Sequence, residues 1–188
     1  MEVWYTSDWH LGHLNIIKFD QRPFHSLQEM ADTLVQNYNA VVDPKDVVYF
    51  VGDMGWGKTP DLANALARMN GFKILIPGNH DNKLVKGLFD LVQYKAVVEI
   101  GGQLVSISHC PLMGVKREDW CETNWHGEDR LGKIYSVEDK GQFHLHGHIH
   151  SDQFNKTRGR QFDVGVRAND YFPVSGEEIA NWIKGQGK

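Results

Sequence analysis

The sequence predicts an α/β fold in which helices and strands form layers. Two short apolar runs, at residues 47–51 and 72–76, have the pattern of strands buried on both faces. Helical patterns separate the early strands, which is typical of strands that pair in parallel. Later in the chain, the turn Gly101-Gly102 separates two strands of a hairpin. A mixed arrangement of parallel and antiparallel strands is therefore expected.

The boundaries of the predicted elements follow from apolar spacing and capping residues. Strands are predicted at residues 3–7, 47–51, 72–76, 103–108, 143–146 and about 161–166. One helix begins at Ser26, which forms a capping box with Glu29, and ends at Asp43-Pro44. Further helices are predicted at residues 60–70 and from Ser175 onward.

The composition is that of an ordinary globular protein, and one domain spanning residues 1–188 is expected. A formal net charge of -4 argues against a protein whose main role is to grip nucleic-acid backbones. The sequence shows no secretory-signal pattern, and its apolar runs are too short to cross a bilayer. Cys110 and Cys121 lack the spacing of a zinc motif. These features predict a cytoplasmic protein without a membrane partner.

Asp, Asn and His side chains follow five of the predicted strands. In chain order they are Asp8 and His10, Asp53, the run Asn79-His80-Asp81, His109, and His148 with His150. Each piece alone has an ordinary explanation as a polar turn or a structural histidine. The carboxyl ends of strands in α/β sheets meet at one edge, where ligands gather. The five pieces together therefore predict a metal site at that edge.

Two of these pieces have a regular internal spacing. Asp8 and His10 are two residues apart, and so are His148 and His150. In an extended segment, residues two apart point to the same side, so each pair can reach one ion. Imidazole is the commonest protein ligand for borderline divalent cations.

The order of these motifs resembles the calcineurin-like metallophosphoesterase family, in a small prokaryotic or phage-type form. The motifs extend over about three quarters of the chain. The resemblance implies two packed mixed β-sheets flanked by helices in a four-layer sandwich. It also implies two sets of metal ligands that share Asp53. One set is Asp8, His10, Asp53 and His150, and the other is Asp53, Asn79, His109 and His148.

The resemblance further implies that His80 is catalytic and that Asp81 orients its ring. His80 would neutralise the transition state or protonate the leaving oxygen. Two divalent cations about 3.5–4 Å apart can clamp both the attacking and the leaving oxygen of a phosphoryl transfer, and a water that bridges them would become the nucleophile. Mixed nitrogen and oxygen ligation suits manganese, with iron or zinc as alternatives.

The substrate is expected to be a small phosphate ester or a nucleotide. Protein phosphatase relatives carry Glu after the Asn-His of the third motif and several arginines around the phosphate, whereas this chain has Asp81 and no comparable arginine set. A phosphodiester is therefore favoured over a phosphomonoester.

Two rival functions have support in the sequence. Residues 52–59 formally match a P-loop between a strand and a helix, which would place Lys58 and Thr59 beside a nucleotide phosphate. That interpretation explains one segment, whereas the two-metal interpretation explains five. A metal-binding module without turnover would be expected to lack His80 or Asp53, and both are present. A hydrolase is the favoured function.

Several polar residues near the motifs allow two interpretations each. His13 and Asn15 would contact substrate or support the ligands, and His144 and His146 are expected to be structural. Residues 111–141, with Trp120, Trp125 and Arg130, would form a lid or a structural flap. The basic residues near the late strand would form an anion-attracting edge or a solvated loop. They are Lys156, Arg158 and Arg160.

Overall fold

The computed structural model describes residues 1–55, 60–113 and 134–186. Within them, the first sheet has the strand order β10-β1-β2-β3-β4, and only β10 runs antiparallel to its neighbour. Its strands are β1 (Val3–Thr6), β2 (Val47–Phe50), β3 (Phe72–Leu75), β4 (Leu91–Val92) and β10 (Val174–Ser175). The three predicted early strands thus pair in parallel, as their helical connections require.

The second sheet is also mixed and has the order β5-β6-β7-β9-β8. Its strands are β5 (Ala96–Ile100), β6 (Gln103–Ile107), β7 (Phe143–His146), β8 (Thr157–Arg158) and β9 (Gln161–Asp163). The hairpin β5-β6 and the pair β8-β9 are antiparallel, while β7 lies parallel to both of its neighbours.

The described helices flank these sheets. They are α1 (Leu14–Phe19), α2 (Leu27–Val41), α3 (Pro60–Ala67), α4 (Lys83–Lys86), α5 (Gly176–Gly185) and a 3₁₀ helix at Val166–Asn169. Ser26 caps α2 by accepting a hydrogen bond from the Glu29 amide, and Ser175 caps α5 in the same way. Both serine caps were predicted correctly. The reciprocal bonds of the predicted capping boxes differ, since the Glu29 carboxylate accepts from the His25 amide and the Glu178 carboxylate binds Lys156.

Two apolar cores hold the layers together. On one side of the first sheet, Leu34 of α2 and Leu66 of α3 pack in one cluster with Phe50 of β2. The second core lies between the two sheets, where Tyr5 of β1 and Leu145 of β7 belong to one buried cluster. Each fully buried apolar side chain contributes roughly 1.5–3 kcal/mol to stability. Two packed mixed sheets with flanking helices are confirmed.

The sequence prediction missed the shortest elements, α1, α4, β4, β8, β10 and the 3₁₀ helix, and it extended five of the six strands with predicted bounds beyond their observed ends. Helix α1 has six residues, and its N-cap His13 makes no side-chain capping bond, so no capping signal marks its start. The late strand ends at Asp163, and the chain then turns into the 3₁₀ helix. Among the described residues, no helix has both the length and the apolar character that crossing a bilayer demands. The single domain and the cytoplasmic location stay predictions.

Loops of the two sheets meet where β1, β2 and β7 end. The amide of Asp8 donates to the Gly52 carbonyl, and Ser7 forms a parallel bridge with Gly165. Gly147 lies so close to Ser7 Oγ and the Asp8 carboxylate that a Cβ atom there would overlap both. Glycine at this position therefore allows a loop of the second sheet to approach a carboxylate of the first.

We predict that Gly147→Ala lowers the free energy of unfolding by about 1–3 kcal/mol, because the added methyl group displaces the Asp8 carboxylate or the backbone. Urea unfolding monitored by circular dichroism measures the loss. Gly185→Ala is the matched control, since nothing lies within 4 Å of a Cβ at that position. Equal stability of the Gly147 variant and the wild type would contradict the crowding inferred here.

Candidate metal centre

Most of the predicted ligands lie in strained backbone. Five of the eight described non-glycine residues with positive φ are predicted ligands, with φ from 51° to 72°. They are Asp8, His10, Asp53, His148 and His150. The two spaced pairs therefore do not lie in extended segments, and that part of the geometric argument was wrong. Asp and His tolerate the left-handed region better than most residues, and such strain persists only where the surroundings hold it.

The first group of converging side chains consists of Asp8, His10 and His150. His10 Nε2 lies 3.1 Å from His150 Nε2, and His150 Nε2 lies 3.5 Å from Asp8 Oδ1. One nitrogen or oxygen of each residue lies within 4.8 Å of the others, the spacing of a metal-binding group. Burial lowers the pKa of His10 to about 3, so its ring is neutral at pH 7 and available as a ligand.

The second group converges on the other side of Asp53. His109 Nε2 lies 3.1 Å from Asn79 Oδ1 and 3.2 Å from His148 Nδ1. Asp53 Oδ2 is 3.4 Å from the same His109 nitrogen and 3.7 Å from His10 Nε2. The Asp53 carboxylate thus lies between the two groups, where a bridging ligand would be placed.

The donor set fits a cation. His109 Nδ1 lies 2.8 Å from the Val51 carbonyl oxygen, which assigns the proton of a neutral ring to that nitrogen. Its Nε2 then carries a lone pair, yet it faces the oxygens of Asn79 and Asp53, which are also acceptors here. Lone pairs that converge in this way repel one another unless a metal ion lies among them or His109 Nε2 carries a proton. Nitrogen and oxygen donors of this kind suit borderline divalent metals.

The buried negative charges of Asp8 and Asp53 also favour a cation at this site. Burial raises the pKa values of Asp8 and Asp53, but neighbouring histidines, chiefly His150 and His109, lower both below their ordinary range. Burial lowers the pKa of His109, and the charge of Asp53 reverses this and raises it to about 9. The paired carboxylates are therefore stabilised by positive charge, which protonated imidazoles or bound metal can supply.

Asp20 is a site residue that the sequence analysis missed. Its two carboxylate oxygens lie 2.9 and 3.0 Å from His150 Nδ1, which directs His150 Nε2 toward Asp8. This contact and the Asp8 carboxylate raise the pKa of His150 to about 10, against the lowering effect of burial. A carboxylate on the far nitrogen of a ligating histidine fixes its tautomer and increases its basicity.

Arg22 supports Asp20 and the first loop together. Its guanidinium donates to Asp20 Oδ2 from Nε and Nη2, and its side chain is fully buried. The same group donates to the backbone carbonyls of Asp8 and Trp9. Asp20 and Arg22 lie in a short polar segment between two predicted elements, so no motif marked them. Only the fold shows that this segment reaches the site.

His80 lies beside the two groups, and its side chain is more exposed than those of His10, His109 and His150. Its Nε2 is 3.8 Å from Asp53 Oδ2, and about a third of its side chain is exposed. Its ring centroid lies 5.5 Å from that of His10. A molecule at the site can therefore reach His80 from solvent, as the expected catalytic role requires.

Asp81 makes hydrogen bonds that differ from the expected one. Its carboxylate accepts from the backbone amides of Asp53, Met54 and Gly78, at 2.8–2.9 Å. Burial raises its pKa to about 6. Through these bonds, the Asp81 carboxylate stabilises the loop that carries Asp53. An orienting effect on the His80 ring stays a prediction.

The same bonds argue against the P-loop interpretation. A P-loop offers successive backbone N–H groups to phosphate, but the amides of Asp53 and Met54 donate to Asp81. Lys58 and Thr59 lie outside the described residues, as do Trp120, Trp125 and Arg130.

The other histidines near the motifs occupy two kinds of position. The His13 ring lies next to His10, with centroids 5.7 Å apart, and Asn15 is exposed to solvent. His144 is fully buried, and its Nδ1 lies 2.8 Å from Ser106 Oγ. His146 is also buried, with Nδ1 3.0 Å from the Gly147 carbonyl oxygen. The structure thus places both outside the converging groups, within the second sheet.

Cys110 adds a candidate ligand that the sequence analysis had set aside. It is buried, and one atom each of Cys110, His109 and His148 lie within 4.8 Å of one another, so these three residues form a further candidate group of ligands. The cysteine follows His109 directly, so the loop after β6 places both the imidazole and the thiol near His148.

Known proteins resemble this chain over nearly its whole length. An uncharacterized protein of Methanocaldococcus jannaschii is 29% identical over 190 residues, covering 97% of this chain and 92% of the relative. The gene 66 protein of Mycobacterium phage L5 is also 29% identical over 190 residues, with coverages of 88% and 86%. An archaeal and a phage relative agree with the expected prokaryotic or phage-type protein.

The fold is shared with a solved structure. The crystal structure of a protein of unknown function from Aquifex aeolicus has a TM-score of 0.73 and 24% identity, over 96% of this chain and 98% of that chain. The sequence profile of calcineurin-like phosphoesterases matches residues 1–152, which include all of the converging side chains. The chain therefore belongs to the calcineurin-like phosphoesterase family.

Proposed function

We propose that this protein is a dinuclear metal-dependent hydrolase of a small phosphate ester, with a phosphodiester or nucleotide-type substrate favoured. The observation that carries the proposal is the position of the Asp53 carboxylate between two groups of converging donors. The proposed ligands of one cation are Asp8, His10, Asp53 and His150. Those of the other are Asp53, Asn79, His109 and His148.

When bound, two divalent cations neutralise the phosphate charge and lower the pKa of a water molecule that attacks phosphorus. The protein residues supply position and protons. Asp53 and Asp8 hold negative charge in a buried site, and Asp81 fixes the Asp53 loop through three backbone amides. His80 Nε2 would donate a proton to the leaving oxygen, for which its partial exposure is suitable. Manganese is the proposed metal, with iron or zinc as alternatives.

We predict that removing metal abolishes hydrolysis of aryl phosphate esters and that one of four cations restores it. Protein treated with chelator is reconstituted separately with manganese, zinc, iron and magnesium, and nitrophenolate release is compared between bis-p-nitrophenyl phosphate and p-nitrophenyl phosphate. Faster restored hydrolysis of the diester is expected. If folded protein binds metal but hydrolyses neither ester, a metal-binding module without turnover is favoured. If the monoester is hydrolysed faster than the diester, the proposed diester preference is wrong.

Asp53→Asn and His80→Ala are expected to separate metal binding from proton transfer. The first variant removes the charge shared by both groups, so it loses bound metal and turnover together. The second retains metal, and turnover falls roughly 10²–10⁴-fold because a general acid is lost. Elemental analysis gives the metal content. The release of the alcohol from an alkyl phosphodiester, whose alkoxide leaving group needs a proton, gives the turnover. Loss of metal in the His80 variant would show that its role is misassigned.

Asp20→Ala is expected to weaken metal binding by roughly 10–100-fold, because the Nδ1 proton of His150 loses its acceptor. Competition with a chromophoric chelator measures the affinity, and ¹⁵N chemical shifts of the imidazole rings show whether the tautomer of His150 changes. Asp20→Asn retains an oxygen acceptor and should restore part of the loss. Asp32→Ala removes an exposed carboxylate whose partners are Gln28 and Arg68, and serves as the control. Unchanged affinity and tautomer in the Asp20→Ala variant would exclude this support.

A further inference from the structure

The carboxylate of Asp163 lies buried beside the loop that follows β7. Asp163 is the last residue of β9, and it pairs in the sheet with His146, the last residue of β7. Its Oδ2 accepts a hydrogen bond from the Ser151 amide at 3.0 Å, and its Oδ1 accepts one from the Gly165 amide at 2.8 Å. The strand pairing thus fixes the start of the loop, and the carboxylate fixes its end.

The peptide group between His150 and Ser151 is held by two side chains. Its carbonyl accepts a hydrogen bond from Nη1 of Arg167, and its N–H donates to Asp163. His150 has a φ of 51°, a conformation that persists in a histidine only where the surroundings hold it. Because Asp20 binds the ring, both the imidazole and the adjoining backbone of this proposed ligand have partners.

The second hydrogen bond of Asp163 extends this support to the first sheet. Gly165 forms a parallel bridge with Ser7, and Ser7 Oγ donates to Asp8 Oδ2 at 2.6 Å. A Cβ atom at Gly165 would lie 2.8 Å from Asp163 Oδ1 and 3.1 Å from Asp8 Oδ2, so both carboxylates approach this glycine. One carboxylate therefore connects the loop of His150 with the strand end that carries Asp8.

The two proposed ligands of the β7 loop depend on Asp163 to different degrees. The amide of His148 donates to the Asp8 carboxylate, near the start of the loop. Ser151, which Asp163 binds, directly follows His150 and is three residues beyond His148. Loss of the bond to Ser151 should therefore displace His150 more than His148.

We infer that Asp163 is a positioning residue of the metal centre, which holds His150 in place for the cation of the first ligand group. The inference rests on the proposed function and adds a residue outside both ligand sets. Asp163 has a counterpart in Asp81, whose carboxylate accepts three backbone amides around the Asp53 loop. Each sheet thus contributes a buried carboxylate that binds the backbone of a ligand loop.

The variants Asp163→Asn and Asp163→Ala test this role through metal binding. Titration with manganese, followed by the electron paramagnetic resonance signal of the free ion, measures the two binding steps. Asn keeps one acceptor oxygen, so one hydrogen bond is lost and one of the two steps should weaken roughly tenfold. Ala removes both acceptors and should weaken the same step further. If the Ala variant does not fold, the Asn variant alone gives the answer.

Asp46→Asn is the matched control. Asp46 is 3% exposed, and its carboxylate accepts hydrogen bonds from the backbone amides of Glu2 and Asp43. It precedes β2, whereas Asp53 and the metal centre follow the other end of that strand. Both Asn variants should lose a similar free energy of unfolding in urea, but only Asp163→Asn should lose metal affinity. An equal loss of affinity in both would show a general effect of stability and would overturn the inference.

A measurement on metal-free protein makes the result independent of turnover. The ¹⁵N chemical shifts of the His150 ring should change in Asp163→Asn, because the ring moves relative to Asp20, while those of His109 stay as in the wild type. Unchanged His150 shifts, or equal weakening of both binding steps, overturns the inference even if the enzyme hydrolyses phosphate esters as proposed. If the expected changes occur in a protein that binds metal but hydrolyses no ester, the inference holds and the proposed function is wrong.

Discussion

Burying a carboxylate costs free energy unless positive charge and hydrogen bonds compensate its negative charge. This site contains several buried carboxylates. Asp8 and Asp53 are each 2% exposed, and their loops are joined by backbone hydrogen bonds. The amides of His80 and His148 donate to these carboxylates. Ring nitrogens face them from loops of both sheets, His10 from the first and His109 and His150 from the second. Cations, whether protons on imidazole or metals, complete the compensation. The meeting of the two sheets is thus an electrostatic requirement as well as a packing one.

The strained backbone follows from the same requirement. A side chain at a strand end continues the direction of its strand, whereas a shared ion requires side chains from separate strands to turn toward one point. The left-handed conformation of Asp8, Asp53 and His148 makes that turn, at a cost of roughly 1 kcal/mol or more each. Asp81 and Arg22 offset part of this cost by binding the backbone of these loops.

The sequence predicted strands and converging motifs well because both depend on local patterns. Buried runs such as residues 47–51 identify central strands, and polar residues directly after them must lie at one sheet edge. Asp20 and Arg22 could not be found in this way, since their role depends on contacts with His150 and Asp8 over 130 and 14 residues of sequence. Asp81 shows a third case: its position was predicted, but the direction of its carboxylate is set by the loop around it.

Arg167 links the support of the metal centre to the 3₁₀ helix. Its guanidinium binds the carbonyls of Asp20 and His150. Replacing Arg167 would loosen a proposed ligand and also the residue that binds its ring, so its two effects could not be separated. Arg167 therefore supports the metal centre through the backbone of two residues whose side chains contact each other, Asp20 and His150.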